Sequence, residues 1–334
     1  MTTLDLHIGL HKTGTSTLQS FFVTNEAALR KHSIVYPRTL RKDNSHCPIL
    51  TVSDADDSLK SVMAELHAEC ADFQHALISA EGLSNAFLDK GRLVRFCDAA
   101  AHHFHPRIII YLRRQDELKS SIYGQVAREW YQGGILDENH YEYDYLKRLD
   151  ILQSAVGKDD LIVRRYRREQ KIEDDFLAIY GLSADQDFEP VAPENAALNR
   201  RITALVAPLD KRELQHPERF HWYLANSGLF ADDGHKHLWA PGERSAFLAR
   251  FEASNREVAK RYFPKSNGEL FEAPGEDEHW IPVSPSDERE MWRDLVARLW
   301  NDYVAAERRQ IPTLSTVKKV YSRALRKIRR GRAR

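Results

Sequence analysis

Cysteine is scarce in this chain, with three residues among 334. Cys47, Cys70 and Cys97 are scattered and lack the spacing of metal ligands, so the sequence predicts neither a disulfide framework nor a cysteine metal site. No apolar run approaches the roughly 20 residues that a membrane-spanning helix needs. The first strand-like residues leave no room before them for a signal peptide. Together these absences predict reduced thiols and a cytoplasmic location.

Acidic residues are missing from the C-terminal tail, residues 315–334. Of the 49 basic residues in the chain, nine lie in this tail and 40 outside it, against 49 acidic ones. Its apolar residues recur at three- and four-residue steps, at Val317, Val320, Tyr321, Ala324, Leu325 and Ile328. A basic amphipathic helix of this kind suits peripheral contact with an anionic membrane surface, such as the inner membrane face, or with an anionic glycan. A frayed, solvated end is the alternative, and we expect no nucleic-acid partner.

Short apolar segments alternate with helical patterns in the first half of the chain. These segments predict strands near residues 4–8, 34–36, 76–78, 108–112 and 161–163. Alternating strands and helices predict an α/β fold, with a P-loop-type central parallel sheet flanked by helices. Asp5 and His7 are unusual in the first strand, because a central parallel strand is normally apolar on both faces.

The second half of the chain lacks the alternation of strands and helices. Prolines interrupt its first part, and long helical patterns return near residues 243–263 and 286–309. We interpret it as a helical lobe packed on the sheet. The predicted divisions are one domain over residues 1–310, made of an α/β core at about 1–182 and a helical lobe at 183–310, and then a tail at 311–334.

Small and hydroxylated residues join the first strand to the first helix, between Gly9 and Thr17. The N–H groups at the start of a helix, together with the helix dipole, form a natural anion site. Gly14 allows a phosphate to approach the backbone closely, and Lys12 supplies positive charge. The nucleotide-hydrolase pattern G-x-x-x-x-G-K-[ST] would place its lysine at Thr15, so the lysine here is displaced into the loop. From there it can reach a bridging oxygen on which leaving-group charge develops.

The stretch HKTGTSTLQ resembles the 5′-phosphosulfate loop of the sulfotransferases that use 3′-phosphoadenosine 5′-phosphosulfate (PAPS). The family pattern is P-K-[ST]-G-T-[ST] followed by a helix, and His11 stands where the family often has proline. The resemblance implies that this loop binds the donor, through His11, Lys12, Thr13, Gly14, Thr15, Ser16 and Thr17.

A second segment strengthens the resemblance, which covers roughly residues 4–182. Arg113 ends a buried strand, Ser121 follows eight residues later, and Asp116 is placed to cap the helix between them. The family holds the donor's 3′-phosphate with an arginine and a serine at this spacing, and the alternative is an ordinary surface pair at a helix start. Tyr166 resembles the aromatic residue near the donor's adenine, or else belongs to a solvated basic turn.

Sulfuryl transfer needs a base that takes the proton of the acceptor hydroxyl. Glu81 ends the strand near residues 76–78, where carbohydrate-type members of the family place a glutamate base, so the resemblance points to it. The alternative for Glu81 is a helix cap or an ion pair with an arginine. His46 is the second candidate, for substrate binding or a shared proton relay, although an ordinary loop histidine fits equally well.

The sequence therefore predicts a PAPS-dependent sulfotransferase that acts without a metal on a hydroxyl of a carbohydrate or glycolipid and releases adenosine 3′,5′-bisphosphate. The bacterial, carbohydrate-type members fit best, because the threonine–histidine–leucine segment of the phenol and steroid type is missing. Two alternatives stay open. One is a P-loop nucleotide kinase, and the other is a non-catalytic relative that binds a nucleotide or glycan.

Overall fold

The computed structural model describes residues 1–52, 56–129, 141–191, 239, 242–274, 289, 292–299, 301–302 and 305. The predicted parallel sheet is confirmed. Its five strands lie in the order β2-β3-β1-β4-β5, and every neighbouring pair is parallel. The strands are β1 (Thr3–His7), β2 (Ile34–Val35), β3 (His75–Ser79), β4 (His105–Leu112) and β5 (Leu161–Arg165).

Helices flank the sheet, as the alternating pattern predicted. In the first half of the chain they are α1 (Thr15–Thr24), α2 (Glu26–Lys31), α3 (Ile49–Val52), α4 (Asp56–Cys70), α5 (Leu83–Ala86), α6 (Lys90–Ala101), α7 (Gln115–Glu129) and α8 (Tyr145–Val156). Further along are α9 (Ile172–Leu177), a 3₁₀ turn at Ala178–Tyr180, α10 (Ala184–Asp187), α11 (Glu243–Ala249), α12 (Glu252–Tyr262) and a 3₁₀ turn at Pro264–Ser266.

Both faces of β1 are buried, and they differ in chemistry. Leu4 and Leu6 face the larger apolar core, which includes residues of α4, α6 and α8. Asp5 and His7 are equally inaccessible on the opposite side, where His7 lies edge-on to Tyr111. The two polar residues of the central strand are therefore interior groups that the fold accommodates through hydrogen bonds: Asp5 accepts from Arg107 Nε at 2.5 Å, and His7 Nδ1 lies 2.9 Å from Ser79 Oγ.

The helical pattern near residues 243–263 is divided into two helices, α11 and α12, so the expected continuous helix is wrong. Phe251 separates them with a φ of −111° and a ψ near 0° and acts as the N-cap of α12. Phe247 and Phe251, on the two sides of the break, both join the larger core. The break therefore leaves both aromatic side chains in the core.

Asp116 does not cap α7, because it is the second residue of that helix. Its carboxylate instead accepts hydrogen bonds from Arg114 Nε at 2.7 Å and Arg244 Nε at 2.6 Å. This buried bridge fixes α11 against α7, and it joins residues 128 positions apart. Of the pattern near 286–309, residues 289, 292–299, 301–302 and 305 are described, and all are helical. The tail at residues 315–334 lies outside the described residues.

Candidate nucleotide and acceptor site

The carboxyl ends of β1, β3, β4 and β5 bring the predicted site residues together. β1 lies between β3 and β4, and His7 is level with Ser79 on one side and Ile109 on the other. β4 therefore runs three residues beyond the end of β1, which carries Arg113 alongside the loop that follows β1. Ligands of open α/β sheets bind at this edge, where the strand order reverses.

The loop after β1 has a backbone that only particular residues adopt easily. Gly9 and Gly14 have φ values of +61° and +80°, and Lys12 has a φ of +64°. A Cβ at Gly9 would lie 2.8 Å from Thr15 Oγ1, and one at Gly14 would lie 2.9 Å from Ile172 Cδ1. Both glycines are therefore favoured by conformation, and a side chain at either position would displace the side chain that it meets. A lysine in the left-handed region is a strained position of the kind found at functional sites.

The start of α1 presents backbone donors to the loop. Gly14 is its N-cap, no side chain caps the helix, and the first helical hydrogen bond runs from Leu18 N–H to Gly14 O at 3.1 Å. The N–H groups of Thr15, Ser16 and Thr17 precede that bond and point out of the helix start. This is the geometry of an anion cradle.

The hydroxyl groups of the loop differ in what they do. The Thr13 hydroxyl is fully buried, donates to Leu10 O at 2.7 Å and accepts from Leu10 N–H at 3.3 Å, so it closes the loop internally. Thr15 Oγ1 is buried and has no hydrogen-bond partner within the described residues. Ser16 is exposed and Thr17 half-buried. A buried hydroxyl without a partner costs free energy, so Thr15 Oγ1 is a candidate contact for a ligand of this loop.

Glu81 reaches the loop from the end of β3. Its Oε1 accepts from Lys12 N–H at 3.3 Å, and its Oε2 lies 3.2 Å from His11 Nδ1. Burial alone would raise the pKa of Glu81, but the hydrogen bond and charge of His11, and then Lys12, outweigh it and leave the pKa below its usual value. Glu81 is therefore a carboxylate beside the loop at neutral pH, able to accept a proton.

A group of buried residues behind Glu81, namely Tyr141, Arg148 and Ser84, was not predicted from the sequence. The Tyr141 ring lies edge-on to His11, with centroids 6.1 Å apart, and its hydroxyl is buried without a partner among the described residues. Arg148 is 1% exposed, stacks over Tyr141 and donates to the carbonyl of Ser84. Ser84 in turn donates to Glu81 O at 2.9 Å. These contacts anchor the segment that carries Glu81.

Arg113 lies at the rim of the loop, as its position after β4 predicts. It is 5% exposed, and its Nη1 donates to Lys12 O at 2.7 Å. Its guanidinium lies 5.1 Å from the centre of the Tyr166 ring. The same ring also borders Gly14, because a Cβ placed on Gly14 would lie 3.4 Å from Tyr166 Cε2. Burial, and then the charge of Arg168, lowers the pKa of Arg113 from its ordinary value, while Glu117 opposes this. The loop, Arg113 and Tyr166 thus form one continuous surface.

Ser121 lies further from the strand end than the sequence suggested. Helix α7 begins at Gln115, so Ser121 is nearly two turns into it, not one. It is half-buried. Glu117 lies between Arg113 and Ser121 in the sequence, four residues from each, and its carboxylate Oε2 accepts from Arg113 Nε at 3.3 Å.

His46 is fully buried and bonded to backbone through both ring nitrogens. Nε2 lies 3.0 Å from Pro37 O, and Nδ1 accepts from Ser79 N–H at 3.3 Å. Burial lowers the pKa of His46 to about 4. The geometry describes a neutral imidazole that ties β2 to β3, with neither nitrogen available to an acceptor hydroxyl.

Within the described residues, no three histidine, cysteine or acidic side chains are grouped so that they could hold a metal ion. No helix in that part of the chain combines the length and apolar character required to cross a membrane.

Comparisons with known proteins identify no family. No protein-family model and no curated protein matches the chain. Among solved structures, a sulfotransferase from Alicyclobacillus acidocaldarius is 17% identical, with a TM-score of 0.37 over 62% of this chain and 92% of its own. A similarity of this size carries no weight for function, which depends on the site itself.

Proposed function

We propose that this protein is a sulfotransferase that moves the sulfuryl group of PAPS to an acceptor hydroxyl on a carbohydrate or glycolipid. The observation that carries the proposal is the hydrogen bond from Arg113 Nη1 to Lys12 O, at 2.7 Å. It places a buried guanidinium from β4 at the rim of the anion loop from β1. One nucleotide with phosphates at both its 5′ and 3′ positions can then contact both.

The residues fit such a donor. The N–H groups at the start of α1 and the Thr15 hydroxyl would hold the 5′-phosphate, because Thr15 Oγ1 is a buried donor without a partner among the described residues. Arg113 and Ser121 would hold the 3′-phosphate, and Tyr166 would lie against the adenosine. Thr13 contributes indirectly, since its hydroxyl is committed to Leu10.

In the proposed reaction the acceptor oxygen forms a bond to sulfur while the bond between sulfur and the bridging phosphate oxygen breaks. Glu81 takes the acceptor proton, and the electron pair stays on the 5′-phosphate oxygen of the departing adenosine 3′,5′-bisphosphate. Lys12 would stabilise the charge that develops on that oxygen. His11, 3.2 Å from Glu81 Oε2, would orient the carboxylate. His46 would contribute by fixing the strand ends.

A nucleotide kinase is an alternative that is also compatible with part of the site geometry. A carboxylate beside a phosphate loop can hold Mg²⁺, so Glu81 would suit that chemistry too. Calorimetric titrations with adenosine 3′,5′-bisphosphate and with ATP, each with and without Mg²⁺, separate the two. We expect metal-independent binding of the bisphosphate and weak binding of ATP, followed by turnover of PAPS with sugar acceptors. Tight binding of ATP that requires Mg²⁺ would establish the kinase instead, and bisphosphate binding without turnover would indicate a non-catalytic relative.

Replacing Arg113 tests the 3′-phosphate assignment. We expect Arg113→Ala to weaken binding of the bisphosphate by about 100-fold, because a desolvated charge pair is lost, while binding of AMP changes little. Arg256→Ala is the control, since that exposed arginine pairs with Glu252 on α12. Unchanged bisphosphate affinity in Arg113→Ala would remove the assignment.

A further inference from the structure

A carboxylate lies where the proposed function requires a phosphate. Glu117 Oε2 is 3.3 Å from Arg113 Nε and 3.8 Å from Arg168 Nε, and Oε1 is 3.2 Å from Arg114 Nη2. One acidic side chain thus contacts three arginines. Glu117 also follows Arg113 and precedes Ser121 by four residues each, about one helical turn. It therefore lies between the two residues that are expected to hold the 3′-phosphate.

The burial of Arg113 explains why a carboxylate belongs there. Arg113 is 5% exposed, and a guanidinium taken out of water without a counter-charge is strongly unfavourable. Its other hydrogen bond goes to a neutral carbonyl, that of Lys12. Glu117 is thus the anion that accepts a hydrogen bond from Arg113 in the free protein.

The surroundings of Glu117 also allow its side chain to turn away from Arg113. Its side chain is 30% exposed, and Arg168, which it already approaches, is 62% exposed. A flexible carboxylate can therefore turn outward and keep a positively charged neighbour. Arg114 is bonded to Asp116 by two hydrogen bonds, so it stays fixed when Glu117 moves.

We propose that Glu117 is an internal counter-ion that occupies the 3′-phosphate position beside Arg113 in the free protein and is displaced when the nucleotide binds. The inference rests on the proposed function, because it presumes that a 3′-phosphate binds at Arg113. The carboxylate keeps Arg113 charged and oriented, and only a ligand with a 3′-phosphate replaces it fully. Glu117 thereby lowers the affinity for nucleotides that carry a 3′-phosphate and leaves the affinity for nucleotides without one unchanged.

The test is calorimetric titration of Glu117→Gln with adenosine 3′,5′-bisphosphate and with AMP, which lacks the 3′-phosphate. Removing one negative charge beside the bound phosphate should tighten bisphosphate binding about tenfold and leave AMP binding unchanged. The matched control is Glu252→Gln, which removes an acid from an exposed i,i+4 pair with Arg256 and should change neither. Glu117→Ala should reproduce the result, and thermal melting establishes that each variant is folded.

The outcomes distinguish this inference from the proposed function. Unchanged or weaker bisphosphate binding in both folded Glu117 variants would overturn the counter-ion role, while leaving the sulfotransferase proposal intact. Equal affinity of the wild-type protein for the bisphosphate and AMP would remove the 3′-phosphate site, and the inference with it.

Discussion

The strands of the central sheet are parallel, so their amino ends lie along one edge, the amino edge, and their carboxyl ends along the other, the carboxyl edge. Buried polar groups have different surroundings at these two edges. At the amino edge, the fully buried Asp5 carboxylate accepts hydrogen bonds from Arg107 Nε at 2.5 Å and Tyr180 Oη at 2.9 Å, and it lies 3.0 Å from His75 Nδ1. The charge is compensated within the fold. One nitrogen of Arg107, Nη2, is buried there without a partner in the described part of the chain.

At the carboxyl edge, several buried polar atoms lack partners among the described residues. They are Thr15 Oγ1, Tyr141 Oη and His11 Nε2, and their residues all lie at or behind the loop after β1. Unpaired buried groups cost free energy, and pairing with a ligand is one reason for a fold to retain them. We therefore infer, in line with the proposed function, that the amino edge stabilises the fold and that the carboxyl edge binds the ligand.

The largest expected effect concerns the carboxyl edge. Glu81→Gln should reduce sulfuryl transfer by about 10²- to 10⁴-fold, because the amide cannot take the acceptor proton. Bisphosphate affinity should be retained, because Glu81 is not among the groups expected to hold the nucleotide. The measurement is initial-rate kinetics with PAPS and an acceptor, with Glu65→Gln on the exposed face of α4 as the control. Full activity in Glu81→Gln would exclude Glu81 as the base.

Asp5→Asn tests the amino edge. It leaves Arg107 without its counter-charge, so the free energy of unfolding should fall by about 3 kcal/mol, while activity per folded molecule stays unchanged. Urea denaturation measures the loss, and Asp159→Asn, at an exposed residue, is the control. If Asp5→Asn reduced turnover without lowering stability, the distinction between the two edges would be contradicted.

Thr15→Val should have smaller effects than Glu81→Gln or Asp5→Asn. It should weaken nucleotide binding without lowering the stability of the free protein. Losing a donor to a charged phosphate should weaken bisphosphate binding about tenfold, whereas removing a buried hydroxyl that lacks a partner should leave the free protein as stable as before or slightly more so. Titration and denaturation of the same preparation check both, with Thr51→Val as an exposed control. A loss of stability would show that the hydroxyl has a structural role.

The smallest expected change is a shift of pH dependence in His11→Ala. In the wild-type protein the pKa of Glu81 lies below 4.5, so its carboxylate is lost only as the pH falls through that lowered value. His11 makes the largest lowering contribution, and burial acts the other way, so the variant should have a higher Glu81 pKa. The acid limb of the pH–rate profile should therefore move to higher pH. An unmoved limb would show that His11 does not control Glu81.

Much of the fold could be predicted from the sequence, because strands, helices and the loop glycines are specified by short stretches of neighbouring residues. Alternating strands and helices specified the parallel sheet, and Gly9 and Gly14 marked a loop whose backbone requires them. Glu81 and Arg113 follow β3 and β4, the parallel strands on either side of β1, so the strand pattern alone brought them toward the same edge. Their roles in catalysis and binding stay predictions.

The interactions that the sequence did not reveal are long-range. Asp116 pairs with Arg244, and His46 bonds to Pro37 and Ser79, partners that no local pattern indicates. Tyr141 and Arg148 were missed for the same reason. Glu117 was detectable, since its four-residue spacing from Arg113 is a recognised pattern of helical ion pairs.

The most direct test of the account is a crystal structure of the protein with adenosine 3′,5′-bisphosphate. We expect the 5′-phosphate on the N–H groups at the start of α1 and the 3′-phosphate within hydrogen-bonding distance of Arg113, with Glu117 turned away. A nucleotide bound elsewhere, or bound in the loop with its 3′-phosphate directed away from Arg113, would contradict the central claim.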